Sequence, residues 1–283
     1  MQSNDYWFTE ECKEAGAAFS MKFEEKVHEE RTPYQHIEIY ETECFGTLMV
    51  IDGFVMLTDR DNFIYHEMMS HPTIFSHPRP KKVLVIGGGD CGTLREVLKH
   101  EDIEEAWQVE IDERVTRLSE QYFPELCESN NDPRANFFFG DGIQWVKDCD
   151  PETFDIIIVD STDPIGPAEG LFTEAFYRDC HNILGADGII VQQSESPLYH
   201  MNLITDMRNA MAAAGYNDVQ TINFPQCTYP SGWWSATMAG KGSLKNNARI
   251  DDIDKRAFKT EYYNSGIHQA AWAMPEFFNR ALT

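Results

Sequence analysis

The chain has 283 residues, 42% of them hydrophobic, which is enough core for one large domain or for one domain with a small partner. A formal net charge of −24 disfavours nucleic acid and anionic membrane as partners and favours a cationic substrate. No apolar run could span a bilayer. Seven scattered cysteines without a Cys-x-x-Cys pair, and no N-terminal apolar leader, point to a reduced, cytoplasmic protein.

Residues 1–30 are polar and charged, with Trp7, Phe8 and Phe19 as apolar anchors. From Tyr34 the pattern becomes strand-like: 35–40 alternates, and the apolar runs 48–51 and 54–57 flank Asp52-Gly53, a two-residue hairpin signal. Helical spacing over 62–76 carries Tyr65, His66 and Met69 toward the core. His77-Pro78-Arg79-Pro80 is a breaker, so the boundary is placed there: an N-terminal β-stranded domain over 1–77 and a catalytic domain over 78–283. Beyond it strands and helices alternate, which means a parallel α/β fold. Strands are expected at 83–86, 107–111, 137–139, 154–159 and 189–192, and helices from about Thr93, over 113–122, 172–184 and 198–214. Segments 219–222 and 233–239 are expected to close the sheet as an antiparallel pair, with the amphipathic last 30 residues packed back on the body.

The segment 81–92, KKVLVIGGGDCG, organises this arrangement. Gly87, Gly89 and Gly92 fit G-x-G-x-x-G between a strand and a helix, a geometry that brings backbone N–H groups close to a nucleoside ligand. Asp90 narrows the ligand. A carboxylate inside this loop would repel a dinucleotide diphosphate and attract a cation, which favours a sulfonium nucleoside over NAD. The plain reading of Asp90 is a helix N-cap.

In an open α/β sheet the ligand sits beyond the carboxyl ends of the strands. Four successive strand ends carry acids here: Asp90, Glu110, Asp141 and Asp160. Glu110, roughly 20 residues past the glycines, is placed to accept from ribose hydroxyls. Asp141-Gly142 can offer a carboxylate to an adenine amino group and an N–H to a ring nitrogen; it can also be a plain turn. Asp160 and Asp163, with Asp90, make an acidic mouth suited to a polyamine. A divalent metal is the rival occupant, but no histidine or third acid stands at ligand spacing. Tyr65, Tyr229, Trp233 and Trp234 can wall an apolar groove for methylenes, and His66 is either pocket wall or core.

The chain resembles the spermidine synthases, of the polyamine aminopropyltransferase family, and within them the bacterial forms. The resemblance runs nearly end to end, through Tyr65-His66-Glu67, GGGDCGTLREV at 87–97, Gly140-Asp141-Gly142, DSTDPIGPAEGLF at 160–172 and Thr228-Tyr229-Pro230-Ser231-Gly232. It implies a Rossmann-like, class I methyltransferase-type α/β fold with a small N-terminal β-hairpin domain, and a homodimer or homotetramer. It implies transfer of the aminopropyl group of decarboxylated S-adenosylmethionine to putrescine, with no cofactor beyond that co-substrate and no metal. The implied partners are a small diamine and a sulfonium nucleoside. By motif, Gln35, Glu110, Asp141, Gly142 and Pro167 would hold the thioadenosine part. Asp90 with Asp160 would grip the aminopropyl amine. Tyr65, His66, Asp163, Gln193 and Tyr229 would line the diamine site, and Asp160 would be the base, with Asp163 nearby raising its pKa. Cys91 replaces the usual loop glycine, and Ala15 falls where some members place a tryptophan. The alternatives are an S-adenosylmethionine-dependent amine N-methyltransferase, whose cofactor carboxylate Asp90 would repel, and a non-catalytic polyamine-binding protein.

Overall fold

The computed structural model describes residues 6–164 and 166–282. Among these, the strands form two sheets. β1 (Trp7–Cys12), β2 (Ala17–Arg31), β3 (His36–Thr42), β4 (Thr47–Ile51) and β5 (Phe54–Thr58) make an antiparallel meander in that order. Asp52 and Gly53 both take positive φ, 52° and 90°, the conformation a tight hairpin requires and the reason Asp-Gly stands there. The first hairpin, β1–β2, was not expected from the polar sequence of residues 1–30. β2 is mostly exposed or half-exposed and carries charges on both sides, so it lacks period-two alternation, and its pairing with β3 supplies what its side chains do not. Trp7 is not an anchor: it is 53% exposed, while Phe8 beside it points inward.

Helix α1 (Asn62–Ser76) follows, buried along most of its length. The larger sheet contains β6 (Lys82–Gly87), β7 (Glu105–Glu110), β8 (Ala135–Phe139), β9 (Phe154–Asp160), β10 (Leu184–Gln193), β11 (Asp218–Pro225) and β12 (Trp233–Gly240). Its order is β11-β12-β10-β9-β6-β7-β8, parallel from β10 to β8, with β12 antiparallel to β11, as expected, and also to β10. The buried strands read Val-Leu-Val-Ile and Ile-Ile-Ile-Val because both faces are covered. On one face α1 and α2 (Gly92–Leu98) pack over Val83, Val85, Ile156 and Val191, so α1 shares the core of the larger sheet. On the other face lie α5 (Glu174–Ile183) and α6 (Met201–Ala213). Helix α3 (Glu113–Tyr122) presents Val115 and Leu118 to Ile37, Ile39 and Met49, which seats the smaller sheet over the carboxyl edge of the larger.

Two helical details differ from expectation. Segment 142–148 forms α4 (Gly142–Asp148), too short to show periodicity but capped by Asp141. The 172–184 helix is a 3-10 turn over Gly166–Phe172, then α5, begun by the Thr173 cap. The C-terminal helices α7 (Ile250–Ile253), α8 (Ser265–Ala271) and α9 (Glu276–Ala281) pack back through Tyr263 and Phe278. No helix among the described residues is long and apolar enough to cross a membrane.

Candidate active site

A cavity opens beyond the carboxyl ends of β6, β7, β8 and β9, roofed by β4 and β5 of the smaller sheet. All four strand-end acids line it. The loop after β6 is threaded tightly: Gly87 has φ +82°, a Cβ there would lie 2.2 Å from the Asp160 carbonyl oxygen, and Gly88 N–H donates to that oxygen at 2.7 Å. The first glycine of the motif therefore lets β6 and β9 converge, which brings Asp90 and Asp160 into one mouth.

At the β7–β8 end, Glu110 is buried and its Oε1 accepts from the Asp112 N–H at 2.8 Å. Burial raises its carboxyl pKa to about 7; the Asp112 N–H opposes this, and the charges of Asp112, Asp160 and Asp90 add to it. Gln35 reaches the same end from the smaller sheet because its Nε2 donates to Asp112 Oδ2 at 3.0 Å, joined there by Thr32 Oγ1 at 2.7 Å. Asp112 also caps α3. No local pattern marks Asp112 for this tie, because its partner Gln35 lies 77 residues away. Asp141 spends one oxygen on the N–H groups of Ile143 and Gln144, capping α4, and still faces the cavity with Gly142. Pro167 falls in the 3-10 turn, and its side chain is outside the described residues.

The centre of the site is Asp160. Tyr65 OH donates to its Oδ1 at 2.7 Å and Thr93 Oγ1 to its Oδ2 at 2.6 Å, so both oxygens are oriented. Burial and then the Asp90 charge raise its pKa, against the opposing effects of His66 and the two hydroxyls. The neighbour that raises it is Asp90, not Asp163 as expected. Asp90 accepts from the Gly92 N–H at 2.6 Å and lies 3.2 Å from His66 Nε2. The N-cap of α2 is Cys91, which makes no side-chain cap bond, so the plain reading of Asp90 as the cap does not hold. Burial alone would raise the Asp90 pKa, but His66 and the Gly92 N–H bring it below the usual range; burial alone would lower that of His66, but Asp90 raises it. His66 stands behind Asp90 rather than on the cavity wall.

The far end holds Asp163, Gln193 and Tyr229 on the wall, with Trp234 edge-on to Tyr229 at 4.7 Å between ring centroids and Tyr65 at 6.0 Å. Trp233 does not join them. Successive strand residues face opposite ways, and its indole bonds Asn223 at 2.9 Å instead. Of two acids not singled out from sequence, Glu10 joins the wall of this end and Glu195 stands behind Asp163. Glu10 projects from β1, 7% exposed, accepting from the Val55 N–H at 2.7 Å; burial raises its pKa to about 7, with a smaller push from Asp163. Glu195 lies against Asp163 and 3.1 Å from His200. Burial, then Glu195, pushes the Asp163 carboxyl well above the usual carboxylate range. Glu10 was hidden because the hairpin carrying it was.

This cavity joins a nucleoside-type glycine loop to a run of buried acids. Residues 62–249 match the model of the spermine/spermidine synthase domain, and residues 6–59 that of the spermidine synthase tetramerisation domain. The chain belongs to the spermine/spermidine synthase family. It is 62% identical to the polyamine aminopropyltransferase of Methylococcus capsulatus over 98% of this chain and 96% of that one. It is 60% identical to that of Nitrosococcus oceani over 97% and 96%. Among solved structures, a spermidine synthase in complex with the transition-state analogue AdoDATO superposes with a TM-score of 0.95 at 34% identity, covering 100% of this chain and 96% of that one. The spermidine synthase of Thermotoga maritima gives 0.93 at the same identity and coverage. This member of the family is an aminopropyltransferase with a Rossmann-like, class I methyltransferase-type catalytic sheet and an N-terminal β-sheet.

Proposed function

We propose that this enzyme transfers the aminopropyl group of decarboxylated S-adenosylmethionine to putrescine, giving spermidine and methylthioadenosine. The observation that carries the reading is Asp160: a buried carboxylate of raised pKa, oriented by Tyr65 and Thr93, between a nucleoside end and a second acidic end of one cavity. Glu110, Gln35, Asp141, Gly142 and Pro167 hold the thioadenosine. Asp90, kept ionised by His66, grips the aminopropyl ammonium with Asp160. Tyr65, Gln193, Tyr229 and Trp234 flank the diamine methylenes, and Asp163, backed by Glu195, takes the far ammonium with Glu10.

The diamine nitrogen attacks the aminopropyl carbon next to sulfur. The C–N bond forms, the C–S bond breaks, its electron pair stays on sulfur, and neutral methylthioadenosine leaves. A free alkylamine has a pKa of about 10.4, so exposing its lone pair at pH 7 costs roughly 4–5 kcal/mol. Asp160 takes the proton, and its raised pKa makes it a better acceptor near neutrality. With this reading go a division of the chain at residue 77, α1 being the part of 1–77 that packs on the larger sheet, a homodimer or homotetramer, and a cytoplasmic location. The matched tetramerisation domain supports an oligomer. The test is a product assay with decarboxylated S-adenosylmethionine and a panel of putrescine, cadaverine and spermidine. Methylthioadenosine release is expected to be fastest with putrescine. A methylated amine formed from intact S-adenosylmethionine, or binding without release, would overturn it.

A further inference from the structure

Segment 226–232 closes one side of the diamine end, because Tyr229 and Pro230 both stand on the cavity wall. Its internal bonds, Gln226 N–H to the Gly232 carbonyl at 3.1 Å and Gly232 N–H to the Tyr229 carbonyl at 2.9 Å, shape the loop without placing it. Its placement comes from outside. Tyr229 OH donates to the Met56 carbonyl at 2.6 Å, and Ser231 and Ser196 share a hydroxyl bond at 2.7 Å. The remaining anchor is Asp61. An Asp immediately before a helix ordinarily caps it by accepting from the N–H two or three residues on. Asp61 precedes α1 but makes no such bond. Its carboxylate, 5% exposed, turns instead to Thr228: Oδ2 accepts from Thr228 N at 3.1 Å and Thr228 Oγ1 at 2.9 Å, while Oδ1 accepts from Thr58 Oγ1 at 2.7 Å. Both threonines are fully buried. A carboxylate taken out of water and denied its local capping role must be compensated by these bonds, so its position and that of Thr228 are fixed together.

We propose that Asp61 is a positioning residue for the acceptor amine: its carboxylate locks Thr228, and so the adjacent Tyr229 and Pro230, against the junction of β5 and α1. The inference rests on the diamine end being where Tyr229 lies, as proposed above. It assigns Asp61 no contact with substrate. Its loss therefore acts on the acceptor end and leaves the thioadenosine end, held by Gln35 and Glu110, unchanged.

The experiment compares Asp61→Ala, Asp61→Asn and Tyr229→Ala for the KM of putrescine, kcat, and the Kd of methylthioadenosine. Asp61→Ala removes an ionic acceptor of three hydrogen bonds and is expected to raise the putrescine KM about tenfold or more, with the methylthioadenosine Kd within about twofold. Asp61→Asn is expected to restore KM. Its amide oxygen can accept from Thr228, and its NH₂ can donate to a reversed Thr58 hydroxyl. If Asp61→Ala does not fold, Thr228→Val, which removes one donor and keeps the backbone N–H, is expected to raise the KM about two- to fivefold. An unchanged KM in Asp61→Ala or Thr228→Val overturns the inference. So does Asn failing as badly as Ala, or methylthioadenosine binding falling in parallel. Tyr229→Ala separates the two layers. If it raises the KM while Asp61→Ala does not, the inference alone falls; if it leaves the KM unchanged, the diamine-end assignment falls first and the inference with it.

Discussion

At the scale of single residues, the site runs on carboxyl groups whose surroundings push them apart. Asp90 sits against His66 and stays ionised, whereas Asp160, bonded by the neutral hydroxyls of Tyr65 and Thr93, is raised by burial and by Asp90. Asn at position 160 keeps the shape and loses the base, so Asp160→Asn is expected to lower kcat by about 10²–10⁴ while methylthioadenosine still binds. Near wild-type turnover in stopped-time product assays would remove Asp160 from that role. Glu110 makes a separate prediction. Its folded pKa of about 7 lies above the unfolded value of 4.5, so between those values the folded state holds more protons. Stability of the unliganded enzyme therefore falls as pH rises through this window, and the loss is complete above about pH 7. Glu110→Gln lacks this titration and can still accept from the Asp112 N–H. Its stability relative to wild type is expected to rise between pH 4.5 and 7 by on the order of 3 kcal/mol, while nucleoside binding weakens. A gap between the two urea-unfolding free energies that does not change with pH would refute this.

At the scale of elements, α1 and α2 are the frame of the reaction centre. Three successive residues of α1 have three different duties. Tyr65 bonds Asp160 and His66 pairs with Asp90. Glu67 accepts the N–H groups of residues 261, 262 and 263 at 2.7, 2.9 and 2.7 Å, tying the C-terminal segment to the helix. Helical geometry turns each residue by 100°, so adjacent side chains necessarily serve different neighbours. α2 must approach α1 closely for His66 to reach Asp90, and Gly92 permits it: a Cβ there would lie 2.2 Å from His66 Cε1. Gly92→Ala is expected to displace the imidazole and cost about 1–3 kcal/mol. Binding of decarboxylated S-adenosylmethionine should suffer more than that of methylthioadenosine, which has no ammonium for Asp90. Calorimetric titration of both ligands checks this, and equal losses would show that Gly92 serves packing alone.

At the scale of the whole molecule, the net charge of −24 and the acidic cavity act together on a dicationic substrate. The kcat/KM for putrescine is expected to fall with added salt as screening weakens the attraction, and to climb from pH 6 to about 8–9 as the amine loses its proton. Carboxylates of ordinary pKa would add nothing above pH 6. Glu10, raised to about 7, does add, so the slope below pH 7 is expected to exceed one log unit per pH unit. Glu10→Gln should reduce it. EDTA is expected to leave the profile unchanged. A flat profile, or loss of activity to EDTA, would argue against a free amine activated by carboxylates.

Residues 81–92 and the acids at 90, 110, 141 and 160 were legible from sequence because a parallel sheet aligns its carboxyl ends: once the βα alternation is read, those four positions must share one edge. Asp52-Gly53 and the period of 62–76 were legible because turns and helices are written in neighbouring residues. What the sequence could not assign was every tie between distant segments. Asp112 holding Gln35, Asp90 rather than Asp163 raising Asp160, Glu10 entering from a hairpin without alternation, and Trp234 rather than Trp233 facing the cavity all depend on how two sheets are set against each other. Local periodicity records which side of an element is apolar. The partner of a buried carboxyl group, and hence its charge, is decided only when burial and neighbours are fixed in three dimensions.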